Sequence, residues 1–106
     1  MRDMLTFVED EKFTAAADRL LTADELFELM QKLAKSPDAG DVIPGSGGCR
    51  KLRFAAKGKG SRGGARVIYF YRSQAGQILL LEIYAKNEKE NLSANELRIL
   101  KGKVKS

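Results

Sequence analysis

The sequence predicts an α+β domain in which helices pack on one face of a small, largely antiparallel sheet. Two segments with helical spacing of apolar residues lie near the N-terminus, and three strand-like apolar segments follow between residues 50 and 86. A third helical segment ends the chain. With 106 residues, we expect one hydrophobic core in a single domain spanning residues 1–106.

The N-terminal half contains one candidate strand and two candidate helices. "MLTFV" (4–8) is rich in β-favouring residues and predicts a short strand. "EDEKFTAAADRLL" (9–21) starts with acids and carries apolar residues at helical spacing, which predicts the first helix. Thr22 and Glu25 form a T-x-x-E capping box that begins the second helix. Pro37 ends that helix, because the residue before a proline is disfavoured in the α region.

The C-terminal half reads as three strands and a helix. The turn-rich connection "SPDAGDVIPGSGGC" (36–49) leads to "RKLRFAA" (50–56), "ARVIYFY" (65–71) and "QILLLEIYAK" (77–86). "SQAG" (73–76) between the last two fits a tight hairpin turn. Ser93 and Glu96 form a second capping box, which predicts the final helix. No internal repeats occur.

The net charge of +5 is distributed unevenly along the chain. Residues 1–41 carry ten acids and five bases, a net of −5, whereas residues 42–106 carry four acids and fourteen bases, a net of +10. Residues 49–66, "CRKLRFAAKGKGSRGGAR", hold seven cations and no acid. Strand alternation places Lys51 and Arg53 on one face, opposite Leu52 and Phe54. We therefore expect a site for a polyanion; the alternative is a solvated loop whose charges serve solubility.

Several common kinds of site are excluded by the residues present. "GKGSRG" (58–63) matches G-x-G-x-x-G, but a strand pattern follows it where a dinucleotide-binding fold needs a helix, and the Walker A spacing is not met. There is no histidine, and Cys49 is the single cysteine, so we expect no histidine-based triad, no metal site and no cofactor. Cys49 is expected to be a buried thiol without a catalytic role.

The sequence also gives an expectation for location. No apolar run approaches the roughly 18 residues of a membrane span. "MRDMLTFVED" (1–10) lacks the basic and then apolar layout of a signal peptide. We therefore expect a cytoplasmic protein that does not interact with membranes.

The block "DAGDVIPGSGGCRKLRFAAKGKGSRGGARVIYFY" followed by "ILLLEIYAKNEKENLS" resembles the HigB-type branch of the RelE/ParE superfamily of bacterial toxins. The resemblance implies a compact sheet with two N-terminal helices and a C-terminal helix. It also implies a toxin of a type II toxin–antitoxin pair that cleaves mRNA on the translating ribosome, an mRNA interferase needing no metal. The implied partners are that mRNA and a helix-turn-helix, HigA-like antitoxin.

The resemblance also implies which residues form the site. Residues 64–69 match the family pattern G-x-R-[VIL]-[VI]-Y, which makes Arg66 the catalytic arginine. Tyr84 and Lys86, expected on one face by alternation, are the candidates for base or acid. The implied RNA-binding residues are Lys51, Arg53, Lys57, Lys59 and Arg62. The chain departs from RelE-like members, which can carry a further arginine and a late tyrosine, at Asn87 and "NLS" (91–93). Tyr69 and Tyr71 are expected to pack in the core.

Two other functions remain open at the level of sequence. One is a ParE-like poison of DNA gyrase, which needs no nuclease residues, although the cations on the predicted sheet face argue against it. The other is a nucleic-acid-binding module without catalysis. Mapping the 5′ ends of transcripts after a pulse of expression would separate the nuclease from the gyrase poison. A neighbouring reading frame for a small helix-turn-helix protein would support a toxin.

Overall fold

The computed structural model describes residues 5–56, 63–89 and 91–105. These residues form an α+β fold with three α-helices and a five-stranded sheet, which confirms the predicted fold class. None of the helices in the described ranges is long and apolar enough to cross a membrane. The elements in chain order are β1 (Thr6–Glu9), α1 (Glu11–Leu20), α2 (Ala23–Lys35), β2 (Asp41–Val42), β3 (Arg50–Phe54), β4 (Ala65–Arg72), β5 (Gln77–Ala85) and α3 (Ala94–Lys105).

The sheet is mixed, with strand order β1-β5-β4-β3-β2. β1 runs parallel to β5, and the other neighbouring pairs are antiparallel, so the expectation of a largely antiparallel sheet is confirmed. The two-residue strand β2 was not predicted. β3 ends at Phe54 and β5 at Ala85, earlier than the sequence suggested. The "SQAG" turn contains a short 3₁₀ helix that ends at Gly76, which has a φ of +65°.

The predicted helix starts are confirmed by their hydrogen bonds. At α2, the Glu25 N–H donates to Thr22 Oγ1 (3.1 Å) and the Thr22 N–H donates to Glu25 Oε1 (3.0 Å). At α3, Ser93 and Glu96 form the same reciprocal pair, at 3.1 and 2.8 Å. Asp10 begins α1, since its carboxylate accepts from the Lys12 N–H at 3.0 Å. Each cap satisfies backbone donors that a helix start leaves unpaired.

The expectation that all helices pack on one face of the sheet is wrong. α1 and α2 cover one face, the α1–α2 face, where Phe13 and Leu29 pack with Val67 and Leu80. α3 covers part of the opposite face, the α3 face. There Leu100 and Val104 pack with Cys49, Ile68 and Leu81. The physical reason is that β4 and β5 are apolar in nearly continuous runs, as is typical of strands buried on both faces.

A β-bulge in β5 determines which side chains lie on the α3 face. Ile68 pairs with Glu82 but Tyr69 pairs with Leu80, so Leu81 is an extra residue in β5. The bulge interrupts the alternation of side chains. Leu80 and Ile83 both face α1 and α2, whereas Leu81 and Tyr84 lie on the α3 face. The bulge therefore places Tyr84 opposite Arg66 on the face that carries the cations.

Candidate nucleic-acid interface

Three functional side chains form a row across the α3 face of the sheet. Arg53 of β3 pairs in register with Arg66 of β4, and Arg66 pairs with Tyr84 of β5. Lys51 lies on the same face, one row away, opposite Ile68. Like charges directly opposite each other destabilise a sheet. The Arg53–Arg66 pair is therefore a feature that a bound anion would stabilise.

The cations of this row surround a cavity of about 530 Å³ on the protein surface, which we call the cationic pocket. The sequence had predicted functional roles for four of its lining residues, which come from three separate segments of the chain. Asn87, Lys89 and Asn91 were not among the predicted site residues. The pocket is lined by Lys51, Arg53, Arg66, Lys86, Asn87, Lys89 and Asn91.

Most cations of the pocket are not neutralised within the protein. Among the described residues, no carboxylate lies within ion-pair distance of Lys51, Arg53, Arg66 or Lys86, whereas Lys89 is paired. Within the described part of the chain, Arg66 donates one long hydrogen bond, 3.4 Å from Nη1 to the Ala65 carbonyl. Four positive charges on one surface therefore remain available to a polyanion.

Arg50 takes no part in the pocket, although it belongs to the same run of cations. Its Nη1 donates to the Gly40 carbonyl at 2.7 Å and to the Asp38 carbonyl at 3.2 Å. These bonds tie the connection after α2 to β3. Arg50 is thus a structural residue, and the seven cations of residues 49–66 do not act as one group.

Lys86 reaches the pocket by a different route from the one predicted. It lies just after β5, exposed in a turn, so strand alternation does not place it. Its N–H donates to the Gly64 carbonyl at 3.1 Å. Gly64 has a φ of +97°, and a Cβ there would lie 3.3 Å from the Phe54 carbonyl oxygen. This close approach to β3 favours glycine at position 64, and the hydrogen bond from Lys86 to Gly64 brings Lys86 beside the start of β4 and Arg66.

Tyr84 is in register with Arg66 but is almost fully enclosed, with 3% of its surface exposed. Its hydroxyl is buried and has no hydrogen-bond partner among the described residues. Burial raises the pKa of Tyr84, so the hydroxyl is protonated at neutral pH. The other predicted RNA-binding residues, Lys57, Lys59 and Arg62, lie outside the described residues.

Glu88 fixes the turn after β5, a role that the sequence reasoning missed. Its Oε1 accepts from the Ala85 N–H at 2.7 Å, and its Oε2 accepts from Arg19 Nη1 at 2.9 Å. The hydrogen bond from Ala85 is the largest cause that lowers the pKa of Glu88. The available signal was an acid just after a predicted strand. Glu88 thereby holds the turn that presents Lys86 and Asn87 against α1.

Lys89 is also a residue that sequence reasoning missed. Its Nζ donates to Glu82 Oε2 at 2.7 Å and to Glu96 of α3, and it lies 4.8 Å from the centre of the Tyr84 ring. Burial acts to lower the pKa of Lys89, but the two carboxylates together raise it. This cluster has no local sequence signal, because each carboxylate is 7 residues from Lys89 and the three residues belong to different elements.

Two other predicted core residues are buried as expected. Tyr69 is fully buried, and its hydroxyl accepts from the Gly40 N–H (2.9 Å) and donates to the Pro37 carbonyl (2.8 Å). Cys49 is also fully buried, and burial raises the pKa of its thiol. A protonated, enclosed thiol is a poor nucleophile. Both residues therefore belong to the structure of the sheet and not to the pocket.

Comparison with known proteins gives a family match and similar folds among solved structures. Residues 6–106 match the family described as the RelE toxin of the RelE/RelB toxin–antitoxin system. The fold is similar to that of E. coli toxin RelE in the free state, solved with two arginines replaced by alanine, with a TM-score of 0.60. That match has 16% identity and covers 96% of this chain and 98% of that one. A chain of the intact E. coli RelBE toxin–antitoxin complex gives a TM-score of 0.58 at 15% identity. That match covers 76% of this chain and 95% of the other.

Proposed function

This chain belongs to the RelE toxin family of RelE/RelB toxin–antitoxin systems, and on that premise we propose that it cleaves messenger RNA on the ribosome without a metal ion. RelE family toxins are ribosome-dependent endoribonucleases in general. The observation that carries the proposal is the cationic pocket, where Arg66 lies on a strand beside Lys51, Arg53 and Lys86, which no described carboxylate neutralises. A pocket of this charge suits the phosphates of a single RNA strand.

The proposed chemistry needs little besides positioning and charge. The 2′-hydroxyl of the RNA attacks the adjacent phosphorus, the bond to the 5′-oxygen breaks, and a 2′,3′-cyclic phosphate and a 5′-hydroxyl end result. The 2′-hydroxyl loses a proton and the leaving oxygen gains one. Arg66 stabilises the negative charge that develops on the phosphate, because its planar guanidinium can donate two hydrogen bonds to phosphate oxygens. Lys51 and Arg53 hold the neighbouring phosphates.

Two residues are candidates for the proton transfers. Lys86 is exposed at the wall of the pocket, next to the start of the strand that carries Arg66. Tyr84 has a protonated hydroxyl without a partner among the described residues, which suits it to donating a proton and not to accepting one. The hydroxyl is buried and Tyr84 does not line the pocket, so RNA binding would have to uncover it before it could act. We therefore assign Lys86 to the proton transfers and keep Tyr84, whose hydroxyl is buried, as the second candidate.

We also propose that the chain is of the HigB type and is held inactive by a HigA-like helix-turn-helix antitoxin encoded beside it. The sequence block from residue 38 to residue 93 supports this assignment, and the E. coli RelBE structure is an example of a similar fold in complex with an antitoxin. An antitoxin neutralises the proposed activity either by covering the cationic pocket with acidic side chains or by blocking entry to the ribosome.

The decisive experiment compares two arginines on the same strand and the same face. Arg66→Ala and Arg72→Ala are each co-expressed with the adjacent antitoxin gene, purified, and tested on mRNA bound to ribosomes. Arg72 lies outside the pocket, stacked 5.4 Å from the Phe70 ring centre and bonded to the Val104 carbonyl. We expect Arg66→Ala to lose about 100- to 1,000-fold in cleavage rate, as for other lost charge donors. Arg72→Ala should cleave within about threefold of the parent, since it contacts no substrate.

Equal cleavage by Arg66→Ala and the parent would remove Arg66 from the site. Mapping transcript 5′ ends after a pulse of expression tests the reaction class. New 5′ ends within translated codons support the ribonuclease, whereas arrest without new ends points to a gyrase poison. RNA binding with neither arrest nor cleavage would leave only a nucleic-acid-binding module.

A further inference from the structure

Lys89 differs from the other cations of the pocket because its charge is already used within the protein. Its Nζ bonds to Glu82 on β5 and to Glu96 on α3. Glu82 is 4% exposed and also lies 3.5 Å from Lys12 Nζ on α1. An ammonium between two carboxylates has little net attraction left for phosphate. Lys89 is therefore unlike Lys51, although both line the same pocket.

The position of Lys89 connects the pocket to the elements beneath and beside it. The same ammonium lies 4.8 Å from the centre of the Tyr84 ring, a distance at which a cation is attracted to an aromatic face. Tyr84 in turn lies opposite Arg66 in the sheet. Lys89 also follows directly on the turn that carries Lys86 and Asn87. One side chain thus contacts β5, α3 and the tyrosine of the proposed site.

We propose that Lys89 is a positioning residue: by joining Glu82 to Glu96 it holds the Tyr84 ring, the start of α3 and the turn that carries Lys86 beside Arg66. The proposal rests on the ribonuclease function proposed above and adds a residue that acts through others. Without the ammonium, Glu82 would keep Lys12 at 3.5 Å, but Glu96 would lose its lysine and the link between β5 and the start of α3 would be broken. The start of α3 and the adjoining turn would then move away from the sheet.

The expected effect is on the rate of the chemical step and not on RNA affinity. Small displacements of groups that act on the reacting atoms cost up to about 100-fold in rate. Lys89→Met keeps most of the unbranched stem of the side chain and removes its charge, and we expect it to lower kcat by about 10- to 100-fold. Its KM for ribosomes should stay within about twofold of the parent. Lys89→Arg, which can also bridge two carboxylates, should restore most of the rate.

The experiment measures kcat and KM on programmed ribosomes, and the salt dependence of binding to a short single-stranded RNA. The variants are Lys89→Met, Lys89→Arg and Glu96→Gln, with Lys105→Met as control. Lys105 is an exposed cation on α3, and it has no ion pair within the part of the chain that the structure describes. Glu96→Gln weakens the cluster more mildly, so it replaces Lys89→Met if that variant loses the near-UV circular dichroism of the fold.

Three results would overturn the proposal. Cleavage by Lys89→Met at the parent rate would show that the cluster does not position the site. An unchanged kcat with a raised KM and a salt slope lowered by about 0.7 would make Lys89 a phosphate ligand. Failure of Lys89→Arg to recover activity would exclude a role that depends on the bridging charge.

A separate measurement keeps the proposal distinct from the proposed function. In ¹³C-labelled protein at neutral pH, the Tyr84 ring resonances should move in Lys89→Met and stay in place in Lys89→Arg. Resonances that do not move in Lys89→Met would refute the contact whether or not the protein cleaves RNA. A parent protein that does not cleave, with the resonance shifts as expected, would refute the ribonuclease and leave the structural contact standing.

Discussion

The number of free cations in the cationic pocket predicts how strongly salt weakens RNA binding. Lys51, Arg53, Arg66 and Lys86 line the pocket and form no ion pair with a described carboxylate. A cation that binds a phosphate releases a counterion from the nucleic acid, so each contact adds to the salt dependence of the affinity. Ionic strength is therefore a perturbation whose effect can be worked out from the structure.

The magnitude follows from the count of contacts. For single-stranded nucleic acid the slope of log affinity against log salt is about −0.7 for each phosphate contact, so four contacts give about −2.8. Between about 50 and about 200 mM salt the affinity should then fall about 50-fold. If Lys57, Lys59 and Arg62 also bind phosphates, the slope should approach about −5. Slopes between these values would measure how many of those three cations take part.

The assay is fluorescence anisotropy of a labelled single-stranded RNA of about ten nucleotides, titrated at several salt concentrations. Lys51→Ala should make the slope shallower by about 0.7, because it removes one phosphate contact. Lys32→Ala is the matched control, since Lys32 is an exposed cation on α2, across the sheet from the pocket. Its removal changes the net charge equally and should leave the slope unchanged.

Two results would refute the reasoning. A slope shallower than about −1 would mean that the pocket binds no more than one or two phosphates. Equal effects of Lys51→Ala and Lys32→Ala would mean that net charge attracts RNA and that the pocket has no specific part in binding.

Three further predictions concern stability. Tyr69→Phe leaves a buried N–H without its partner and should lower the free energy of unfolding in urea by about 1–3 kcal/mol; a loss below about 0.5 kcal/mol would contradict the hydrogen bonds described. Gly64→Ala should lower the free energy of unfolding by about 1–3 kcal/mol, because Gly64 has a positive φ. Gly102→Ala is the control: Gly102 lies inside α3 with open space where a Cβ would be added, so this change should leave stability unchanged or raise it. The hydrogen bond from Lys89 lowers the pKa of Glu96 below 4.5. Ionised Glu96 therefore stabilises the fold above about pH 4.5, and this stabilisation is lost as the pH falls through the pKa of Glu96 in the folded protein. In Glu96→Gln, the free energy of unfolding should fall less steeply as the solution is acidified.

The elements of the fold could be predicted because their signals are local. Both capping boxes lie within four consecutive residues, and both form the reciprocal hydrogen bonds expected of them. The placement of α3 on the second face could not be read in this way. Both faces of β4 and β5 carry apolar residues, so the face that α1 and α2 leave uncovered is also available to a helix. The sequence does not say which helix covers which face. The bulge at Leu81 has no local sequence signal either.

The candidate site was predictable where charge and strand alternation act together. Lys51, Arg53 and Arg66 follow the alternation of β3 and β4 and meet in one pocket. Lys86 was predicted by alternation, yet it reaches the pocket through a turn. Lys89 was missed because its partners come from other elements. A lysine that is neutralised by two carboxylates cannot be distinguished in sequence from one that is free to bind phosphate.

The boundary between core and pocket runs through the α3 face itself. Ile68 and Arg66 are two residues apart on β4 and point to the same face, yet Ile68 is buried under α3 and Arg66 lines the pocket. On the neighbouring strand, Glu82 is opposite Ile68 and Tyr84 is opposite Arg66. Lys89 contacts both of these residues, so the ion cluster stands where the apolar core ends and the cationic pocket begins. The start of α3 is fixed at this boundary through Glu96. A partner that displaced the start of α3 would therefore alter the surroundings of Tyr84 without touching a phosphate-binding cation.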